Sequence, residues 1–423
     1  MEKQIKRTPL HGWHTSHGAT MADFGGYKMP LWYASAKKEH LSVLKQAGLF
    51  DTSHMAALLL SGPGAHERLQ RGFTSNLDAC IGPSKKPLFP GRCVYGAFLK
   101  ADGGVIDDGI VGMLSDDSYM VVVNAGMGAK VAAHLDALGT GGEVAIDDLS
   151  DRLGKIDVQG PMAAKIVSRV LAAPEKVLDR MPYFSFQGHF AADSPLADAV
   201  RLDNGMPVLL SRTGYTGEFG FEIFVAPEQL VATWEMICAA GEAFGLETCG
   251  LAARDSLRGG ALLPLSHQDI GDWPFINHPW PFALPFNADR SGFTKSFIGD
   301  KALLSAETAE YTYAFVGADL RKVSTADPAV VFDGAGNEIG RVLTCVSDMG
   351  IGWHAGRIFS VASPEQPQDF VPRGLSCGFV KVTRPLAPGT GLQLRDRRRH
   401  IKVTVVEDIR PDRTARRPIE EML

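Results

Sequence analysis

Two hydrophobic periods alternate along this chain, and they predict different elements. In SAKKEHLSVLKQAG (35–48), Ala36, Leu41, Val43, Leu44 and Ala47 recur at helical spacing, and Gly48 stands where a helix C-cap belongs. MGAKVAAHLDAL (127–138) and APEQLVATWEMICAAGEAFG (226–245) carry the same 3.6-residue period. GAHERLQRGFTSNL (64–77) predicts a further short helix. AALLLSG (56–62), CVYGAFL (93–99), VIDDGIVGM (105–113) and SYMVVVNA (118–125) are apolar runs of strand length, and ADGG (101–104) supplies hairpin-turn chemistry. KIDVQGPMAAKIVSRVL (155–171) predicts strand, tight turn and helix. MPVLLSRTGYTGEFGFEIFV (206–225) predicts two strands around a glycine-rich connection. The stretch from Asp269 to Phe286, rich in Pro and Trp, predicts irregular loop.

Strands and helices mix without regular βαβ alternation, which favours α+β over a doubly wound sheet. From about Tyr311 the pattern changes to short β runs (AVVFD, EIGRVLTCV, GLSCGFVKV, HIKVTVV) between Gly and Pro turns. That predicts a separate all-β module at the C-terminus. At 423 residues the chain has room for two to four domains, and 45% hydrophobic with 22% charged residues is ordinary for a globular protein.

A net charge of −5 argues against a general nucleic-acid binder. The local exception is RDRRRH (395–400), either a solvated hairpin edge or a binding patch. Six cysteines form no CxxC pair and read as scattered, reduced core thiols. No run of 18 apolar residues predicts a membrane span, and the opening MEKQIKRTPLHGWH lacks a signal-peptide core. The expected compartment is the cytoplasm.

Several blocks resemble the aminomethyltransferase family, that of the glycine-cleavage T-protein. They are TPLHGWHTSHGATMADFGGYKMPLWY (8–33), AGLFDTSHM (47–55), ADGGVIDDGIV (101–111), VVNA (122–125), VQGP (158–161), TGYTGEFGFEI (213–223) and CGLAARDSLR (249–258). SFIGDKAL (296–303) and GNEIGRV (336–342) extend the series, so the resemblance covers nearly the whole chain. It implies a three-domain cloverleaf around a central channel that takes tetrahydrofolate as co-substrate. The expected division is 1–145, an N-terminal α+β folate-binding region with parts of the second domain; 146–305, a second α+β domain completing the channel; and 306–423, a β-rich, barrel-like domain.

The family chemistry moves a one-carbon unit from a donor, a lipoyl carrier protein or a small methylated molecule, to a folate nitrogen. The electron-poor intermediate is cationic, and a fixed carboxylate beside it would stabilise and orient it. Asp108 matches the family's catalytic Asp, and Asp107 is its neighbour. On a strand the two would point to opposite faces, one to the channel and the other to solvent or a backbone amide. Read without the family, they are turn-capping acids. Glu222 matches the position that holds the pterin's donor edge, the alternative being a strand acid paired with a lysine. Arg254 matches the arginine at the channel, the alternative being an internal salt bridge; Arg258 reads as structural. Asn124 matches a pterin contact, and as a polar residue ending an apolar strand it must find partners. Met55 and Tyr95 match positions lining the folate pocket, where a thioether and an aromatic ring suit a flat heterocycle. Tyr215 lies in the glycine-rich turn. His11, His14 and His17 sit three apart, but no acid or cysteine nearby completes a metal set. TGYTGEFG lacks the lysine of a phosphate-binding loop.

The sequence departs from the family in three places. One is GGALLPLSHQDIGDWPFINHPWPFALPF (259–286), where Ser266, His267, Trp273, His278 and Trp280 are unusual. The others are the added length at 355–374 and the Gly26-Tyr27 pair. The first allows two readings: a rebuilt loop with unchanged chemistry, or a changed methyl donor. In the second, Trp273 and Trp280 form an aromatic cage for a methylated ammonium or sulfonium, and His267, Asp269 or His278 bind its polar end. The class expected is a tetrahydrofolate-dependent one-carbon transferase. Its alternatives are a folate-dependent demethylase of a sulfonium, quaternary amine or methoxy aromatic, and a non-catalytic folate-binding protein of the same fold.

Overall fold

The computed structural model describes residues 5–139, 142–179, 181–305, 310–326 and 329–423. Residues 306–309, where the sequence puts the start of the C-terminal domain, and the first four residues of the polar opening lie outside this set. The architecture is α+β, with two main sheets, a closed barrel and helices between them.

The helix predicted from 35–48 is Ala36–Lys45, and its Ser35 side chain accepts a hydrogen bond from Lys38 N (3.2 Å) as N-cap. It stops at Gln46, so Gly48 is not the C-cap. Gly48 lies inside the strand Ala47–Asp51, and a Cβ there would come 2.4 Å from Val43 Cγ2. The glycine lets strand and helix approach closely, which apolar spacing alone could not show. The helix predicted over 64–77 is shorter, Ala65–Gly72. Strands Lys6–Arg7, Thr20–Phe24 and Tyr27–Trp32 form an N-terminal sheet that the hydrophobic pattern did not announce.

A six-stranded sheet has the order Phe186–Gly188, Leu209–Ser211, Gly220–Val225, Gly154–Gln159, Ala47–Asp51, Leu246–Cys249. Its Gly154–Gln159 strand pairs antiparallel with Gly220–Val225 on one side and with Ala47–Asp51 on the other. The VQGP turn follows it. Gly160 adopts φ +128°, and a Cβ there would lie 2.6 Å from the carbonyl oxygens of Val43 and Gln46, so only glycine fits. A five-stranded sheet has the order Cys93–Leu99, Val105–Ser115, Ser118–Val123, Ala56–Ser61, Ala145–Asp148.

The C-terminal β runs close into a six-stranded barrel of Tyr311–Gly317, Leu375–Val382, Glu338–Asp348, Val330–Phe332, Gly391–Arg395 and His400–Val406. Helix Leu251–Gly260 packs on the barrel strand Glu338–Asp348. Buried Arg410 ties the same corner together through Asp348 and Glu218, the latter at 3.2 Å. The added length at 355–374 contributes to a hairpin, Ile351–His354 with Arg357–Ser360. RDRRRH forms the turn between the last two barrel strands; Asp396 caps it by accepting the Arg398 and Arg399 amides at 2.7 and 2.6 Å. Among the described residues, no helix is long and apolar enough to cross a membrane.

Candidate active site

Strand periodicity aims one face of the five-stranded sheet at the six-stranded sheet. Cys93, Ile110, Gly112, Met120 and Val122 from the first face Phe186, Leu209, Ser211, Thr213, Glu222 and Phe224 from the second, around a cavity of about 30 Å³. Two residues further along three of the same strands, the same parity brings up Tyr95, Asp108 and Asn124. These three converge: the Tyr95 hydroxyl donates to Asp108 Oδ2 at 2.8 Å, and Asn124 Nδ2 to Asp108 Oδ1 at 2.8 Å.

Asp107 does not turn away from its neighbour. It accepts the Asn124 backbone amide and Nδ2, both at 2.9 Å, and the Ser266 hydroxyl at 2.7 Å. The expected backbone amide is there, but the Asn124 side chain bridges both acids. A bulge between Phe98 and Leu99 interrupts the pairing just before this point. Asp107 is fully buried and Asp108 nearly so. Burial pushes both carboxyls up; with the added repulsion of Asp108, Asp107 is pushed up to about 7. The two behave as one coupled pair holding a proton near neutral pH.

A second polar cluster lies on the facing sheet. Asp157 and Glu222 stand directly opposite each other across adjacent strands, where like charges repel. Lys155 resolves the conflict, with Nζ 2.7 Å from Asp157 Oδ1 and 2.5 Å from Glu222 Oε1. Thr213 donates to Glu222 Oε2 at 2.5 Å, and Arg254 NH1 pairs with Asp157 Oδ2 at 2.7 Å. The alternatives weighed for these residues, a lysine partner for Glu222 and an internal salt bridge for Arg254, are therefore both present, inside the same cluster. Tyr215 links the two clusters: the Arg254 guanidinium lies 4.9 Å from its ring centre, and burial, helped by the charge of Asp108, pushes its phenol up. Its hydroxyl donates to the Pro264 carbonyl.

Met55 is half-buried in the turn after Ala47–Asp51, beside His54. His54 is buried with Nδ1 unpartnered, and burial plus the nearby Arg254 charge lower it to about 4, so it is neutral. Lys155, Asp157 and Thr213 escaped the sequence reading, and Ser266 was noted only as unusual, without a role. The available signal was the alternation Lys155, Asp157, Gln159 against Ile156 and Val158, which sets three polar residues on one face of a central strand.

The comparisons bear on this arrangement. Residues 10–273 match the family model described as the GCVT N-terminal domain. An aminomethyltransferase from Shouchella clausii is 33% identical over 369 residues, 86% of this chain and 91% of that one. One from Streptomyces coelicolor is 40% identical over 267 residues, 63% of this chain and 66% of its own length. The crystal structure of the glycine cleavage system aminomethyltransferase T from Bartonella henselae superposes with a TM-score of 0.72 at 27% identity, covering 98% of this chain and 99% of that one. The chain belongs to the aminomethyltransferase (glycine-cleavage T-protein) family.

Within this family member, the departing 259–286 segment does not build the aromatic cage that one of its two readings called for. Trp280 is completely buried; its Nε1 donates to the Leu262 carbonyl (2.8 Å) and its ring packs on Phe379, so neither face is open to a ligand. The Trp273 ring already carries the chain's own cations, Lys381 Nζ at 4.4 Å and the Arg341 guanidinium at 5.5 Å. His278 packs at a tilt on Phe275 with Nε2 buried and unpartnered, and burial lowers it to about 3. Asp269 is spent on buried Arg258, which confirms the structural reading of that arginine. Of the donor-side candidates only His267 reaches the acids: its half-exposed ring places Nε2 3.8 Å from Asp107 Oδ1. His14 is likewise structural, buried between Asp51 (3.0 Å) and the Tyr33 hydroxyl (2.7 Å), while His17 stacks on Trp13.

Proposed function

We propose that this chain moves an aminomethyl-derived one-carbon unit onto tetrahydrofolate, with Asp108 beside the reacting nitrogen and a lipoyl-bearing protein as donor. Members of this family are tetrahydrofolate-dependent transferases, and T-proteins work with the lipoyl-bearing H protein. Here Asp108 stabilises the cationic one-carbon intermediate as charge develops. Tyr95 and Asn124 hold its carboxylate at a fixed angle, so no reorganisation is needed at the moment of transfer. Glu222, locked by Lys155 and Thr213, takes the pterin's donor edge, with Met55 and Tyr215 against the ring system. Arg254 and Asp107 complete the wall.

The observation that carries this reading is the buried Asp107–Asp108 pair clamped by Asn124 and Tyr95 on the face that meets Glu222. No contact in the 259–286 segment favours a methylated small-molecule donor, because both tryptophans are already engaged. The reading keeps the division 1–145, 146–305 and 306–423, with the cleft between the first two parts. The strand Ala47–Asp51, though early in the chain, serves the second part's sheet. The cysteines are free thiols among the described residues, which supports a reducing, cytoplasmic compartment.

The test is Asp108→Asn, assayed with aminomethylated lipoyl carrier protein and tetrahydrofolate. Turnover should fall at least about a hundredfold, with folate affinity by calorimetry held within about 1 kcal/mol. Wild-type turnover in the variant, or no heat of folate binding to the wild type at millimolar ligand, overturns the reading.

A further inference from the structure

Of the Asp107–Asp108 pair, Asp107 has no open surface of its own and Asp108 only 8%. Asp107 is fully enclosed, and its hydrogen-bond partners, Asn124 and Ser266, donate to it without accepting a proton from it. Yet a pair that shares a proton must exchange it with something. His267 is placed to do so. Its Nε2 stands 3.8 Å from Asp107 Oδ1, the same oxygen that Ser266 holds, while 49% of its side chain is open.

The loop is built to keep the ring there. His267 sits at φ +61°, a left-handed backbone that disfavours a side chain. The residues after it are anchored: Gln268 Nε2 donates to the Leu343 carbonyl (2.9 Å), and Asp269 is tied to Arg258 and to the Leu265 amide. Glycine would take this backbone freely, so the imidazole is retained at a conformational cost.

We propose that His267 is the proton relay of the buried acid pair, passing the proton of Asp107 to and from the mouth of the cleft. The inference rests on the transferase reading above. In the outward step the O–H bond of the Asp107 carboxyl breaks and its electron pair stays on the oxygen. The Nε2 lone pair takes the proton, and the imidazolium releases one from Nδ1 to solvent. A swing of the exposed ring by about 1 Å closes the gap to hydrogen-bond length. The transfer reaction needs this traffic: two protons leave the folate nitrogens, one ends on the released ammonia and one on the lipoyl sulfur. Because His267 acts through Asp107, it is a positioning residue rather than a catalytic one.

The groups facing the imidazole are matched to this task. Burial opposes its cation most, joined by Lys130 on the helix Gly128–Asp136 and by Lys100 beyond the strand Cys93–Leu99, while Asp108 on the strand Val105–Ser115 favours it; Asp272 engages Lys100 at 2.5 Å. The net effect lowers the imidazole from its ordinary value while Asp107 is raised, so neither proton is trapped.

Two measurements test the relay. The first needs no turnover: the His267 ring is titrated by NMR in the wild type and in Asp107→Asn. The wild-type ring signals should show a second inflection near pH 7 as Asp107 ionises beside them, and the variant should lack it; identical curves overturn the proposal. The second uses His267→Gly, which suits the left-handed backbone and removes only the ring. Turnover near neutral pH should drop about tenfold or more in a buffer without nitrogen bases, and added imidazole should restore it. Folate affinity should be unchanged. A wild-type pH profile in His267→Gly, or a loss that imidazole does not rescue, sinks the relay. Full turnover in Asp108→Asn would instead sink the underlying assignment, so the two failures are distinct.

Discussion

Lys155→Met removes the cation on which two buried carboxylates depend. Lys155 Nζ lies 2.7 Å from Asp157 and 2.5 Å from Glu222, and their side chains are 3%, 0% and 11% exposed. Arg254 pairs with Asp157 at 2.7 Å, so in the native cluster two cations balance two anions. Without the lysine one buried negative charge is left over, and Asp157 and Glu222 again face each other across the strands. Breaking a buried pair in this way costs about 3–5 kcal/mol, a large part of the roughly 5–15 kcal/mol that holds a typical domain folded. The assay is urea unfolding followed by tryptophan fluorescence. Trp234 reports directly, because it packs in the same core cluster as Ile156 and Val158 on the lysine's own strand. Lys155→Met/Glu222→Gln should recover at least half of the loss, since neutrality returns and Arg254 still holds Asp157. A loss below about 1 kcal/mol in the single variant, or a double variant no more stable than the single, would refute the charge-balance argument.

Three further outcomes are expected. Asp107→Asn should gain stability relative to the wild type as pH rises. A carboxyl raised to about 7 binds its proton in the folded state more tightly than in the unfolded chain, so wild-type stability falls between about pH 4 and pH 7, by an order of magnitude of a few kcal/mol; parallel stability–pH curves would contradict this. Tyr95→Phe removes the donor 2.8 Å from Asp108, an interaction with a charged group worth about 1.5–3 kcal/mol. The acid limb of the rate profile should then move to higher pH, and an unmoved limb counts against the assignment. Trp280→Ala should cost about 3–5 kcal/mol by thermal or urea unfolding, with the donor KM unchanged, because the ring is core. A large KM effect without loss of stability would revive the aromatic cage.

Four strands of the five-stranded sheet, the helices Ala36–Lys45, Gly128–Asp136 and Leu230–Gly241, and four of the six barrel strands were legible because each buries a periodic apolar face; the mostly exposed edge strand Ala145–Asp148 was not. Only the ordered family blocks singled out Asp107, Asp108, Asn124, Glu222 and Arg254 as candidates; periodicity alone left each with an unremarkable alternative. The N-terminal sheet was not legible, since Thr20–Phe24 and Tyr27–Trp32 carry mixed polarity and little burial on the first strand. Nor was the role of Gly48, whose need for a missing Cβ comes from a helix side chain five residues earlier in the chain.

By itself, then, the chain determined most of its local elements and its change from α+β to all-β near Tyr311, and it named candidate acids for the cleft. Tertiary structure alone decided which polar groups meet. Lys155 reaches Glu222 from 67 residues away, and Ser266 reaches Asp107 from 159 residues away. It also decided which candidate faces stay open, burying Trp280 and covering Trp273 while leaving His267 at the cleft. Propensity and period act over a few residues, whereas charge pairing, burial and ring access depend on distances that exist only once distant strands have paired.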